Sequence, residues 1–222
     1  MAPVQRLRDS LLPRALAPLL PEAVWRGPPH DAQGRPLLYL TVDDGPDPEG
    51  TSRWLNALDR HNARAVFFLT GRRADAYPDL ARSLLEAGHR VGNHGYGHRS
   101  AWRSWPSSVV ADLDRAEGRL HAITGQTLGD VRPPYGRVTP GLLRWARTNG
   151  RRLVLWDLMP GDYLPSRMPD RLGDEIVRLA RPGSVVVLHD GPPAVRALAA
   201  LDFALPRLAA AGWRFSALPA AR

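Results

Sequence analysis

The chain has 222 residues and a mass of 24.5 kDa, with 44% hydrophobic and 23% charged residues. That suits one globular domain with a sizeable core and excludes a disordered body. It has no cysteine, so disulfides and thiolate metal sites are excluded, and no apolar run approaches the roughly 18 residues of a membrane span. The net charge of +8 rests on 30 cationic residues that are all arginine, scattered without a basic stripe interleaved with aromatics, so nucleic acid is not an expected partner.

Residues 1–36 are expected to form an N-terminal arm, amphipathic or irregular, that packs on the body or touches a membrane. Its stretch "RLRDSLLPRALAPLLPEAVW" begins basic and turns apolar, but Arg14 and three prolines interrupt the apolar run a signal peptide needs. A cytoplasmic location is the resulting expectation. From residue 37 to 218 the chain alternates. Strand-like runs are predicted at 37–42, 64–70, 89–92, 128–132, 151–158, 184–189 and 213–218, with helices at 50–61, 74–87, 106–123, 139–149, 169–181 and 194–211. Thr139-Pro140 supplies a cap and a first-turn proline, and Asn149-Gly150 a stop.

Strands alternating with helices of this length imply parallel βα units. The apolar runs at 37–42 and 184–189 fit strands covered on both faces. The expected fold is α/β, a distorted (β/α) barrel of about seven parallel strands related to the TIM barrel. An open doubly wound sheet is the alternative.

The polar residues fall at the C-terminal ends of these strands, the face on which barrels and open α/β sheets build their sites. Asp43 and Asp44 end the first strand, "NHGYGH" follows the third, "RPPYG" the fourth, "DLMPGDY" the fifth and "LHDG" the sixth. Adjacent strand residues point to opposite faces, so Asp43 and Asp44 are expected to do different jobs. His94 and His98 have a spacing common among metal ligands. With one aspartate they make a three-ligand set with an open position, the pattern of a catalytic metal.

Taken in order, "TVDDGPD" (41–47), "NHGYGH" (93–98), "RPPYG" (132–136), "WDLMPGDY" (156–163) and "VVVLHD" (185–190) resemble the motifs of the polysaccharide deacetylase family, carbohydrate esterases that share the NodB homology domain. The resemblance covers roughly residues 37 to 217. It implies metal-dependent removal of acetyl groups from N-acetylated sugars, with acetylated carbohydrate as the partner. By motif position it implies Asp43 as general base and Asp44, His94 and His98 as ligands of a divalent metal, zinc or else cobalt or another ion. Arg132 would orient Asp43, the Tyr135 N–H would serve the oxyanion, and His189 would act as general acid tuned by Asp162. Pro134, Tyr135, Tyr163 and Leu188 would contact substrate.

Three positions depart from the family pattern. Gly95 stands where Ser or Thr is usual, removing a hydroxyl that would brace the metal loop. Met159 replaces a frequent Asp and Tyr163 a usual Trp, both changes of the groove. A metal-dependent amidohydrolase acting on a non-sugar C–N bond or a small acetylated metabolite is therefore the rival expectation. Trp54 and Trp145 are expected to be helix-face packing, and Tyr96 to point toward solvent or substrate.

Overall fold

The computed structural model describes residues 14–220. Seven strands run parallel: β1 (Leu37–Asp43), β2 (Ala65–Leu69), β3 (Arg90–Asn93), β4 (Asp130–Val131), β5 (Arg152–Leu153), β6 (Val185–His189) and β7 (Arg214–Ser216). Their order is β5-β4-β3-β2-β1-β6, with β7 beside the start of β1. Beyond β5 a parallel bridge from Leu158 to Val186 brings the chain back against β6. The sheet thus curls round as a distorted (β/α) barrel instead of staying open.

Helices α1 (Gly50–Arg60), α2 (Gly71–Ala76), α3 (Pro78–Glu86), α4 (Pro106–Thr124), α5 (Pro140–Thr148), α6 (Pro169–Leu179) and α7 (Ala194–Ala210) cover the outside. Strand alternation sorts side chains between two cores. On β1, Leu38, Leu40 and Val42 face outward into the main core, with Trp54 of α1 and Leu201 and Leu205 of α7. Tyr39 faces inward with Val66, Phe68, Val154 and Val185. A further cluster packs α4 and α5 against Val131 and Leu153. Trp54 and Trp145 are both buried packing residues, as expected.

Two expected elements come out differently. The single helix over 74–87 is two helices, α2 and α3, because Pro78 holds Tyr77 in a non-helical conformation (φ −135°, ψ 61°). The long strand over 151–158 is a two-residue strand followed by separate bridges from Val154 to Val24 and from Leu158 to Val186. Its backbone is shared between two different neighbours, so no continuous ladder forms.

Residues 14–36 lie along the body. The Val24 N–H donates to Leu153 O at 2.7 Å, and the Leu155 N–H donates to Val24 O at 2.8 Å. Arg14 donates to Leu179 O at 2.6 Å and lies 3.4 Å from the buried Asp157 carboxylate. The earlier part of the arm lies outside the described residues. No helix among the described residues is long and apolar enough to cross a membrane.

Candidate active site

β1 ends at Asp43, and the next residue leaves the strand. Asp44 adopts φ +76°, so its side chain does not take the opposite direction that strand alternation predicts. Both carboxylates instead reach one floor. Asp44 Oδ1 lies 3.1 Å from His98 Nε2 and 3.5 Å from His94 Nε2, while Asp43 Oδ2 is 3.9 Å from His94 Nε2. The two acids differ in their partners, Arg132 for Asp43 and His98 for Asp44.

Asp43 is buried beside Arg132, whose side chain is wholly inaccessible. Arg132 Nη1 donates to Asp43 Oδ1 at 2.7 Å and to Thr41 Oγ1 at 2.8 Å. Its Nε and Nη2 donate to Val154 O and Leu155 O, and its plane lies 4.2 Å from the Phe68 ring centroid. Burial lowers the guanidinium pKa, and Asp43 works against that loss. A fixed cation therefore takes one oxygen of Asp43 and leaves Oδ2 facing His94.

Asp44, His94 and His98 place one ligand atom each within 4.8 Å of one another. His94 Nδ1–H donates to Arg132 O at 2.7 Å, which turns Nε2 toward the carboxylates. Burial raises the Asp44 pKa, but hydrogen bonds from His94 and His98 overcome it and hold the carboxyl well below its ordinary range. Burial likewise lowers His94, and Asp43 and Asp44 lift it above its ordinary value. The cluster thus draws positive charge to itself. Two imidazoles and a carboxylate, one imidazole fixed from behind, fit a divalent cation of borderline softness.

The loop carrying the histidines is braced by residues the sequence did not single out. Gly95 N–H donates to Asn93 Oδ1 at 2.8 Å, and Tyr96 N–H and Gly97 N–H donate to Asp112 on α4 at 2.8 and 3.0 Å. A carboxylate on a neighbouring helix thus supplies bracing that a side-chain hydroxyl at position 95 would otherwise give. Its only sequence signal is an acid on the otherwise packed face of α4. Tyr96 is half-buried outside the cavity lining, with its hydroxyl on Asp75 and Arg115 over its ring.

Across the floor, His189 ends β6 in register with Asp43. Its Nδ1–H donates to Asp162 Oδ1 at 2.9 Å, and its backbone N–H donates to Oδ2 at 2.8 Å. Burial alone would lower the His189 pKa; the Asp162 hydrogen bond and charge, helped by Asp43 and Asp44, raise it to about 9. Tyr135 has φ +62° and stands at the same floor, its ring 4.7 Å from that of His98. Its N–H makes no hydrogen bond to another described residue. Of the four non-glycine residues with positive φ among the described residues, Asp44, His98 and Tyr135 stand at this site, a concentration of backbone strain of the kind found at functional sites.

A cavity of about 670 Å³ opens over these groups and is lined by Asp43, Asp44, His94, His98, Tyr135, Tyr163 and His189, among others. Two expected substrate contacts do not reach it. Leu188 is buried in the outer core, because β6 sends Val185, Val187 and His189 inward and Leu188 outward; Val187 lines the cavity in its place. Pro134 is buried beneath the turn whose next residues, Tyr135 and Gly136, line it. Arg132 and Asp162 stand behind Asp43 and His189, outside the cavity wall. Met159 and Trp156 both line it.

Comparison with known proteins agrees with this arrangement. A family profile described as polysaccharide deacetylase matches residues 30–154. A chitooligosaccharide deacetylase of Azorhizobium caulinodans is 34% identical over 200 residues, covering 84% of this chain and 95% of that one. A peptidoglycan-N-acetylglucosamine deacetylase of Bacillus cereus is 32% identical over 184 residues, covering 82% of this chain and 66% of that one. The solved structure of a peptidoglycan N-acetylglucosamine deacetylase superposes with a TM-score of 0.83 at 30% identity, covering 89% of this chain and 91% of that one. The chain belongs to the polysaccharide deacetylase family.

Proposed function

We propose that the chain hydrolyses the acetamide of N-acetylated amino sugars, with Asp44, His94 and His98 holding a zinc ion and Asp43 and His189 moving the protons. The observation that carries the reading is the meeting of three ligand atoms within 4.8 Å of one another beside an arginine-held Asp43, with His189 in register across the strand pair. The relatives named as deacetylases of chitooligosaccharide and peptidoglycan support the same reaction.

A divalent ion bound there lowers the pKa of a water molecule and polarises the acyl carbonyl. The protein's own groups do the rest. Asp43 Oδ2, free because Oδ1 is taken by Arg132, accepts the proton of the attacking water. The Tyr135 N–H, with no hydrogen-bond acceptor among the described residues, donates to the acyl oxygen as it gains charge. His189, kept protonated by Asp162, gives its proton to the departing nitrogen as the C–N bond breaks. Acetate and a free amine result, and each group returns to its starting state once protons re-equilibrate with solvent.

Acetate release from N-acetylglucosamine oligomers and from small acetylated amides tests the reading, with the protein stripped of metal and then supplied with zinc. Zinc-dependent release from the oligomers is expected. Release from small non-sugar amides alone would replace the reading with the amidohydrolase alternative.

A further inference from the structure

The cavity over the site is walled by hydrocarbon to a degree that a bare oligosaccharide does not explain. Its charged lining residues are the five groups of the proposed chemistry and Arg137. Arg137 is already committed: Nη1 donates to Ser100 Oγ at 2.7 Å, and its guanidinium lies over the rings of Trp102 and Tyr135. Its lining takes Leu16, Leu19, Leu20 and Trp25 from the N-terminal arm, and Trp102, Val138, Leu155, Trp156 and Met159 from the body of the fold. Sugar hydroxyls buried against aliphatic side chains lose their water partners and gain none, which disfavours their burial there. A stacked aromatic can cover one sugar face, but the leucines of the arm offer no such surface.

The wall is also built rather than loosely laid. Arg14 ties the arm to Leu179 O and Asp157, the Trp25 indole N–H donates to Leu20 O at 3.0 Å, and Val24 bridges to Val154. Leu16, Leu19 and Trp102 nevertheless remain exposed, 41%, 73% and 68% respectively. Exposed apolar side chains held together around an active-site mouth mark a surface meant to be covered by a ligand.

We infer that the amino-sugar substrate is an amphiphile: its polar ring sits at the Asp44/His94/His98 floor and an attached hydrocarbon group lies between the arm leucines and Trp102. The inference rests on the deacetylase reading and names its substrate class. The hydrocarbon is attached through the glycosidic oxygen, since the acyl group removed is acetyl.

The test compares the zinc-loaded 222-residue chain on four substrates: methyl and octyl N-acetyl-β-glucosaminide, the methyl glycoside bearing N-octanoyl in place of N-acetyl, and chitotetraose. Release of acetate or octanoate is followed. The octyl glycoside is expected to exceed the methyl N-acetyl glycoside at least about tenfold in kcat/KM, and a preference for the N-octanoyl sugar over both would overturn the inference. Leu16→Ser combined with Leu19→Ser is expected to erase the preference for the octyl glycoside. Binding of the preferred amphiphile to metal-free Asp43→Asn protein, followed by tryptophan fluorescence, is expected to weaken with the same pair of changes. Turnover of chitotetraose with no preference for either octyl compound would overturn the inference and leave the deacetylase reading standing. Self-association through Leu16 and Leu19 without such a preference would likewise overturn it and assign the wall to a second copy. No acid released from any of the four would overturn both.

Discussion

Arg132 and Asp43 form a wholly buried pair in which one guanidinium nitrogen, Nη1, is shared between the Asp43 carboxylate at 2.7 Å and the Thr41 hydroxyl at 2.8 Å. Thr41 in turn donates to Val186 O at 2.6 Å, so the side chain of the proposed base is tied through two residues to the next strand of the barrel. Asp43 has little freedom to rotate.

Breaking that pair from the arginine side is expected to cost stability as well as activity. Arg132→Met leaves an uncompensated buried carboxylate, for which about 3–5 kcal/mol is typical. Adding Asp43→Asn removes the orphaned charge, so the double variant is expected to be more stable than Arg132→Met alone. Urea unfolding of the four proteins in this cycle measures the coupling. A double variant no more stable than Arg132→Met would mean that the loss comes from packing on Phe68 and not from charge.

Asp162 is expected to set the alkaline limb of the pH–rate profile. His189 is raised from 6.5 to about 9, so the protonated, acid-competent form persists above neutrality. The sign for stability follows from the same shift. The His189–Asp162 pair contributes fully below about pH 6.5, where both folded and unfolded imidazoles are charged, and its contribution is lost as pH rises through about 9. Asp162→Asn removes the main raising influence and is expected to move the alkaline limb of kcat/KM to lower pH, with less loss of activity at pH 6 than at pH 8. A limb that stays in place would assign it to another group.

The metal loop is expected to depend on Asp112. Asp112→Ala frees the Gly97 N–H, leaves the Tyr96 N–H only its bond to the backbone carbonyl of residue 112, and is expected to weaken zinc affinity roughly 10–100-fold, the range found when groups behind metal ligands are lost. Competition with a chelator reads this directly. Gly95→Ser should act in the same direction, since Gly95 has φ +78° and a Cβ there would stand 2.7 Å from Asp112 Oδ2. Unchanged affinity in both variants would show that Asn93 and the backbone bonds from Gly71 and Arg72 to Gly95 O and Tyr96 O suffice to hold the loop.

Much of this was legible in the chain because it rests on local rules. The alternation of strands and helices predicts the barrel, and the polar residues at strand ends mark its functional mouth. The same period of two, applied from His189, would have placed Val187 in the cavity and Leu188 in the core. What could not be read depends on contacts between distant segments. The left-handed turn at Asp44 lies outside strand geometry, so alternation says nothing about where its carboxylate goes. Asp112 reaches the histidine loop only because α4 packs beside it. The arm's place over the cavity depends on Val24 meeting Val154, 130 positions further along, and no periodicity records such a meeting.

The most direct test of the account separates metal binding from turnover in one variant. Zinc content and acetate release from N-acetylglucosamine oligomers would be measured for wild-type and Asp43→Asn protein side by side. The account predicts one zinc per chain in both, with turnover in the variant lower by about 10²–10⁴-fold, the usual contribution of a general base. Full activity in Asp43→Asn, or a wild-type protein that binds no zinc and releases no acetate, would contradict it.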